Sequence, residues 1–339
     1  MANVMIIAEL SGNHNNDLQY AKDSLYAIKE AGADAVKLQT YKAESLTLNV
    51  QNEEFGPRKE GIWRGRTPYD VFSEGALPYE WHGELFDLAR KLDLICFSSP
   101  FDEDAVDFLE SLNNPIYKVA SFEINHIPLI EKIASTNKPV IISTGIATLA
   151  DIELAISFFK NAKVSLLKCT SAYPAPFEEI NLKAMPVLGD VFGVEYGISD
   201  HTLGSAVPVA AVALGAKIVE KHFILDRQKG GIDAEFSMSA PEFKDMVHSI
   251  RAIEKALGDE SFRLTKASKR ARLKSRSLYF CASVSAGDIL TRDNVRVVRG
   301  GAGLHPKYFD KVLGATAKSD FNIGDPVSSS CVFDMRFSD

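Results

Sequence analysis

The chain alternates between short apolar runs, typical of buried strands, and longer segments whose apolar positions recur at helical spacing. Residues 17–31 are one helical segment, with Asp17 as a candidate N-cap and Gly32 as a candidate stop. Eight apolar runs lie at 4–10, 35–41, 95–100, 116–121, 139–145, 164–171, 194–201 and 217–223. This alternation predicts a parallel sheet, which closes into a (β/α)8 TIM barrel or stays open and doubly wound.

Polar residues at the strand ends favour the barrel. Nearly every run carries them at its C-terminal end, where a barrel opens its active-site face. Two runs finish with a histidine, His201 and His222, and histidines on neighbouring strands can reach one metal ion without identifying it. Lys37 and Lys118 lie inside strands, where a buried lysine needs a partner, for example a multiply charged anion. We therefore expect a binding site at this rim.

Composition and charge exclude some function classes. The chain is 46% hydrophobic and 24% charged, as in soluble globular proteins, and its formal net charge is −7. That charge disfavours a general nucleic-acid or membrane-surface role, despite the basic run 266–276. The N-terminus has no basic leader, no long apolar run follows, and the four cysteines show no paired spacing. We expect a cytoplasmic protein with reduced cysteines, no nucleic-acid partner and no membrane partner.

The strand-end motifs resemble, in order, those of a known family. The motifs are "AELSGNHN", "AVKLQTY", "FSSPFDEDAVDFL", "YKVASFE", "VIISTGIAT", "LKCTSAYPAP", "GISDHTLG" and "EKHFILD". They are similar to the sialic acid synthase family, which condenses phosphoenolpyruvate with an N-acetylated sugar. "RSLYFCASVSAGDILTRDNVRVVRGGAGLHP" resembles the small antifreeze-like (SAF) domain that ends these enzymes. The resemblance implies a TIM-barrel synthase domain at 1–258, a linker at 259–276 and a C-terminal SAF domain at 277–339.

Several details resemble the pseudaminic acid synthase branch of that family. They include "SSPF", "CTSAYP" and an insertion at 43–79, which fits a loop over the barrel mouth, either as packing or as a substrate lid. The neuraminic branch has threonine at Ser99, asparagine at Ser171 and a proline-glycine pair after Arg299. The resemblance therefore implies 2,4-diacetamido-2,4,6-trideoxy-L-altrose as the acceptor, with N-acetylmannosamine or the legionaminic acid precursor as alternatives.

The resemblance also implies roles for individual residues. Glu9 would be the catalytic base, and His201 and His222 would bind a divalent metal ion, most often Mn²⁺ in the family, with Co²⁺ or Mg²⁺ as alternatives. Arg299 would reach across a domain-swapped homodimer to the sugar in the partner's barrel, beside glycines that let backbone approach a ligand. The residues implied to bind substrate are Lys37, Ser99, Lys118, Ser121, Ser143, Ser171, Tyr173, Ser199 and Asp233.

Two other function classes stay open at this point. A metal-dependent hydrolase on a similar barrel would usually need more ligands than His201 and His222 supply. A non-catalytic carbohydrate- or ice-binding protein would use the C-terminal module, with the barrel as a scaffold. Loss of activity on replacing Glu9 would separate an enzyme from the second class.

Overall fold

The computed structural model describes residues 3–332. The chain divides between Gly258 and Asp259 into two compact units. The segment expected to be a linker contains an exposed helix, Lys266–Arg272, which carries most of the basic run. None of the helices in the described part of the chain is long and apolar enough to cross a membrane.

The first unit is a closed parallel barrel, which confirms the TIM-barrel prediction over the open sheet. Neighbouring strands pair in chain order from β1 to β8, and β8 pairs back with β1. The strands are β1 Met5–Glu9, β2 Ala35–Thr40, β3 Ile95–Pro100, β4 Tyr117–Val119, β5 Val140–Ser143, β6 Val164–Cys169, β7 Glu195–Asp200 and β8 Ile218–Ile224, and a short β9, Met238–Ser239, pairs with the end of β8.

The helices of this unit begin and end where local signals predict. Asp17 accepts hydrogen bonds from the backbone N–H groups of Gln19 and Tyr20, and Gly32 ends the first helix with φ +88°. Thr148 and Asp151 form the capping box of α7. The helices are α1 Leu18–Ala31, α2 Ala43–Leu46, α3 Pro68–Gly75, α4 Tyr79–Lys91, α5 Glu103–Ser111, α6 Ile127–Ser135, α7 Leu149–Ser157, α8 Met185–Phe192, α9 Ala206–Ala213 and α10 Ala240–Leu257.

The barrel interior is layered, because side chains two residues apart on a strand point to the same face. Its lower layer is an apolar cluster of Ile7, Ala35, Phe97, Ile141, Leu167 and Ile218. Two residues further along β1, β2 and β8 come Glu9, Lys37 and Glu220. A buried apolar plug therefore supports a buried polar layer at the C-terminal end of the barrel.

On the outer face of the barrel strands, a buried ion pair joins β7 to β8. Asp200 and Lys221 are register partners, and Lys221 Nζ lies 2.5 Å from Asp200 Oδ2. Lys221 also donates to the carbonyl of Thr202. Asp200 directly precedes His201, and Lys221 directly precedes His222, the two predicted metal-binding histidines. The ion pair therefore fixes the strand ends that carry these histidines.

The second unit contains α11 Lys266–Arg272, an antiparallel pair of β10 Arg276–Phe280 and β11 Val295–Arg299, and the short α12 Phe309–Val312. Leu278, Phe280 and Val295 belong to its apolar core. "SAGDIL" and "NIGDPV" form matching turns: an aspartate, Asp288 or Asp325, accepts from the backbone N–H three residues earlier.

The glycines after Arg299 have a packing role within their own unit. A Cβ at Gly300 would lie 2.3 Å from the Tyr279 hydroxyl oxygen, and one at Gly303 would lie 2.0 Å from the Leu278 carbonyl oxygen. Gly301 has φ +79°, and a Cβ there would lie 1.9 Å from the Leu273 carbonyl oxygen. These positions need glycine because other parts of the same unit approach them closely.

Candidate active site

A cavity of about 320 Å³ opens at the C-terminal ends of the barrel strands. All the predicted barrel site residues line it except Ser99, which is buried on β3 opposite Gln39 in the strand register. Arg299 is the last residue of β11 in the second unit, where it is exposed and pairs in register with Arg276. The lining includes Glu9, Lys37, Lys118, Ser121, Ser143, Ser171, Tyr173, Ser199, His201, His222 and Asp233.

The floor of the cavity is a buried network of two lysines and two glutamates. Lys37 Nζ lies 2.9 Å from Glu9 Oε2 and 2.9 Å from Glu220 Oε1. Lys118 Nζ lies 3.7 Å from the same Glu220 oxygen, which also accepts a hydrogen bond from Ser199 Oγ at 2.9 Å. The lysines are thus paired with carboxylates of the protein, and a bound anion would enter a site that already holds both charge signs.

The two lysines respond differently to this network. Burial lowers the pKa of Lys37, but Glu220 and Glu9 outweigh it and the net shift is upward. Burial also lowers the pKa of Lys118, and neighbouring Lys37 adds to that, so its net shift is downward. For Glu9, burial acts to raise the pKa, while His222 and the lysines lower it well below the usual range.

His201 and His222 lie side by side at the rim, with ring centroids 5.2 Å apart. His201 Nδ1 lies 3.2 Å from the Thr170 carbonyl oxygen, which can only accept, so in the neutral imidazole this nitrogen carries the hydrogen and Nε2 has the lone pair. His222 Nε2 lies 3.3 Å from Glu9 Oε2, and Nδ1 is buried without a hydrogen-bond partner. Within residues 3–332, no group of three or more His, Cys, Asp or Glu side chains is arranged to hold a metal ion.

Buried polar atoms without partners concentrate around this cavity. Ser143 Oγ and Glu220 Oε2 lie in residues that line the cavity, and neither atom makes a hydrogen bond. Because buried polar groups are nearly always hydrogen-bonded, such a concentration indicates a site for a polar ligand.

Gly145 brings the ends of β5 and β6 together at the same place. A Cβ there would lie 2.2 Å from Ser171 Oγ and 2.8 Å from Ser121 Oγ. Its backbone N–H donates to Ser121 Oγ at 3.1 Å. Only glycine allows the two serines and this amide to lie so close together. No role was predicted for Gly145, although it is the last residue of the predicted run 139–145.

The insertion at 43–79 forms one wall of the cavity. It is more regular than the expected loop, since it contains α2 and α3, and Arg58, Trp63 and Phe72 line the cavity. Trp63 Nε1 donates to the Ile232 carbonyl oxygen at 3.1 Å, which fastens the insertion to the segment after β8. From the sequence, the segment could serve either as packing or as a substrate lid, because its polar and aromatic residues follow no repeating period.

Two further residues near the floor had no predicted role. Gln39 lies two residues after Lys37 and so on the same strand face, and its Nε2 donates to Glu9 Oε1 at 3.0 Å. Glu123 is buried beside the lysines, and burial raises its pKa to about 7 against the opposing effect of Lys118. Strand alternation could have identified Gln39, whereas Glu123 lies in a short 3-10 turn after β4 that has no such signal.

Comparisons with known proteins agree with this architecture. Residues 25–262 match the NeuB family and residues 275–332 match the SAF domain. The pseudaminic acid synthase of Helicobacter pylori is 47% identical over 328 residues, which cover 96% of each chain. The N,N'-diacetyllegionaminic acid synthase of Legionella pneumophila is 38% identical over 327 residues, covering 94% of this chain and 92% of that protein.

A solved structure supports the same assignment. The N-acetylneuraminic acid (sialic acid) synthetase of Leptospira borgpetersenii, in complex with citrate, aligns with a TM-score of 0.71 and 31% identity, covering 80% of this chain and 90% of that one. The resemblance to the sialic acid synthases, nearest their pseudaminic branch, is confirmed, and so is the prediction of an enzyme. The chain belongs to the NeuB family and carries a C-terminal SAF domain.

Proposed function

We propose that this chain condenses phosphoenolpyruvate with 2,4-diacetamido-2,4,6-trideoxy-L-altrose and water, giving pseudaminic acid and phosphate. The carrying observation is the cavity, which is lined by two buried lysines and by several serines, two of which pack closely against Gly145. Ammonium and hydroxyl donors suit a ligand that carries both a phosphate and a carboxylate. The similarity to pseudaminic acid synthases supports the choice of acceptor. Phosphoenolpyruvate is a cytoplasmic metabolite, and we place the reaction there.

In the proposed site, phosphoenolpyruvate lies on the floor and the sugar lies above it. Lys37, Lys118 and Ser143 bind the anion, together with Ser99, Ser121, Ser171 and Ser199. Tyr173 and Asp233 line the upper part of the cavity and bind sugar hydroxyl or amide groups. Ser11 Oγ donates to Asp233 Oδ2 at 2.5 Å, so this carboxylate has a fixed orientation toward the acceptor.

The proposed chemistry proceeds in balanced steps. The enol carbon of phosphoenolpyruvate attacks the aldehyde carbon of the open-chain sugar. A C–C bond forms, the carbonyl π bond breaks, and the alkoxide so formed receives the proton that Glu9 takes from water in the next step. Positive charge develops at the phosphate-bearing carbon, and water adds there as Glu9 accepts its proton. The resulting tetrahedral intermediate collapses to a ketone as its hydroxyl proton leaves with the departing phosphate, so the C–O bond breaks and the P–O bonds stay intact.

His201 and His222 fit a divalent metal ion, with Mn²⁺ as the first candidate and Co²⁺ or Mg²⁺ as alternatives. The fit rests on two neighbouring imidazoles and on two of their ring nitrogens. One is His201 Nε2, and the other is His222 Nδ1, which makes no hydrogen bond and lies 3.8 Å from Asp233 Oδ2. Such an ion, when bound, would polarise the sugar aldehyde as a Lewis acid. Two protein ligands leave positions for water and substrate, which suits this chemistry better than a hydrolase site with three or more protein ligands.

We further propose that the protein works as a domain-swapped homodimer, in which Arg299 contacts the acceptor in the partner's barrel. Arg299 ends β11 and is exposed, so it is free to bind a group outside its own unit.

The experiment is phosphate release measured with phosphoenolpyruvate and each of three sugars: the altrose derivative, the legionaminic acid precursor and N-acetylmannosamine. We expect no release without a sugar and the highest kcat/KM with the altrose derivative. Release without any sugar would instead indicate a hydrolase. A preference for either other sugar would reassign the acceptor within the family.

A further inference from the structure

The wall formed by the insertion has two features that the condensation itself does not use. Trp63 and Phe72 present aromatic surface to the cavity, and Ile232 joins them from the segment after β8. Arg58 lines the same wall, and its Nε is buried without a hydrogen-bond partner. An unpaired buried donor at the edge of a cavity indicates that a ligand supplies the acceptor.

The structure holds this donor in place before any ligand arrives. Arg58 donates its backbone N–H to the Arg66 carbonyl oxygen at 2.9 Å and accepts from the Gly65 N–H at 2.8 Å, which closes the loop 58–66. The Arg58 guanidinium lies 5.2 Å from the centroid of the Trp63 ring, and Trp63 is itself fastened by its bond to Ile232. The loop thus presents a pre-arranged donor beside an aromatic face.

A chain of ring contacts places this wall relative to the histidines. His201 packs against Tyr173 with centroids 4.5 Å apart, and Tyr173 lies 6.2 Å from the Trp63 ring. The ring contacts therefore run from His201 to Tyr173 and from Tyr173 to Trp63. An open-chain sugar with its aldehyde at the histidines would extend past Tyr173 and bring its far end to this wall.

We propose that Arg58, Trp63 and Phe72 form the subsite for the end of the acceptor sugar remote from the aldehyde, and that they select a hexose with a second acetamido group and a terminal methyl group. Arg58 Nε–H donates to the carbonyl oxygen of that acetamido group, and Trp63 and Phe72 pack against its methyl and against the 6-deoxy carbon. This inference rests on the proposed function, since it names what distinguishes the diacetamido acceptors from N-acetylmannosamine.

The wall discriminates because it offers little to hydroxyl groups. N-acetylmannosamine carries hydroxyls at both distinguishing positions, and these would lose water against aromatic surface. Such differences in an apolar pocket usually change kcat/KM by about 10- to 200-fold. The floor lies below this wall and binds phosphoenolpyruvate, the substrate that all three reactions share. Effects on KM for phosphoenolpyruvate and on KM for the sugar can therefore be measured separately.

The test compares Arg58→Met with Arg64→Met. Arg64 lies in the same loop but is exposed and outside the cavity, so its replacement removes the same charge without touching the wall. We measure kcat and KM for phosphoenolpyruvate, the altrose derivative, the legionaminic acid precursor and N-acetylmannosamine. Calorimetric binding of the diacetamido sugars, reduced at C1 so that they cannot react, gives a readout independent of turnover.

Arg58→Met should raise KM for both diacetamido sugars by about 10-fold or more. N-acetylmannosamine and phosphoenolpyruvate should be nearly unaffected, and Arg64→Met should resemble the unmodified protein. If Arg58→Met unfolds, Trp63→Leu tests the same wall, with an expected loss of preference for the diacetamido sugars over N-acetylmannosamine.

Two results would overturn the inference while leaving the proposed function intact. One is an equal loss with all three sugars, and the other is a rise in KM for phosphoenolpyruvate alone, which would place Arg58 at the anion. If the unmodified protein does not use diacetamido sugars at all, the proposed function fails first and the inference fails with it.

Discussion

The floor and the wall of one cavity differ in chemistry and in origin. The floor is built by strand residues, in which Lys37, Lys118 and Glu220 are almost completely buried and linked by ion pairs. The wall is built by an insertion between β2 and β3, with aromatic surface and one unpaired arginine donor. The comparison suggests a division of labour: the barrel strands bind the shared anionic substrate, while the insertion adapts the site to diacetamido sugars.

The largest expected effect concerns the histidines at the junction of floor and wall. Removal of divalent ions by a chelator, or replacement of His201 or His222 by alanine, should reduce turnover to near background. Added Mn²⁺, Co²⁺ or Mg²⁺ should restore the chelated enzyme but not the variants. Electron paramagnetic resonance of titrated Mn²⁺ measures binding directly. Full activity in excess chelator would remove the metal from the account.

Glu9 provides the next effect, on the floor itself. Glu9→Gln keeps the size of the side chain and removes the proton acceptor, so kcat should fall by about 10²- to 10⁴-fold. Glu153→Gln, on the exposed face of α7, is a matched control that should change nothing. A Glu9→Gln variant with ordinary kcat would show that the water is deprotonated by another group.

The lysines test whether the floor acts mainly on phosphoenolpyruvate. Replacing Lys37 or Lys118 by methionine should cost about 2–3 kcal/mol in kcat/KM for that substrate, or roughly 30- to 150-fold. Binding of a reduced sugar, measured by calorimetry, should change far less. Comparable losses for both ligands would contradict a division between floor and wall.

Arg299 would close the cavity from a second chain. Glu9→Gln and Arg299→Ala homodimers should both be strongly impaired. Mixed dimers should regain up to about one working site in two, because one site inherits both substitutions and the other inherits neither. Subunit exchange is verified with two affinity tags. No regain of activity in confirmed mixed dimers would mean that the partner's arm does not complete the site.

The smallest effect concerns Glu123, the buried carboxyl with no opposing ion pair in the described network. Burial raises its pKa to about 7, so the native state binds a proton more tightly than the unfolded chain, and the stability it contributes falls as pH rises from about 4.5 to 7. The melting temperatures of Glu123→Gln and the unmodified protein should therefore be closer at pH 5 than at pH 8. At pH 8 the substitution should raise the free energy of unfolding by up to about 3 kcal/mol. Equal differences at both pH values would contradict the raised pKa.

The strands and the floor were predictable from the sequence because strand periodicity is local. Once Glu9, Lys37 and His222 were assigned to strand ends, barrel closure alone brought them together. The wall was not predictable in this way, since contacts such as Trp63 with Ile232 join residues 169 positions apart with no repeating pattern. Gly145 and Glu123 were missed for a related reason: their roles depend on the neighbours that folding supplies.

The most direct test of the central claim is one competition experiment. The protein is incubated with equal amounts of the three sugars and with phosphoenolpyruvate labelled with ¹⁸O at the bridging oxygen, and the products are weighed by mass spectrometry. The account predicts mainly the pseudaminic acid product, without label, and label in the released phosphate. Label in the sugar product would contradict C–O cleavage, and a product formed mainly from N-acetylmannosamine would contradict the assigned acceptor.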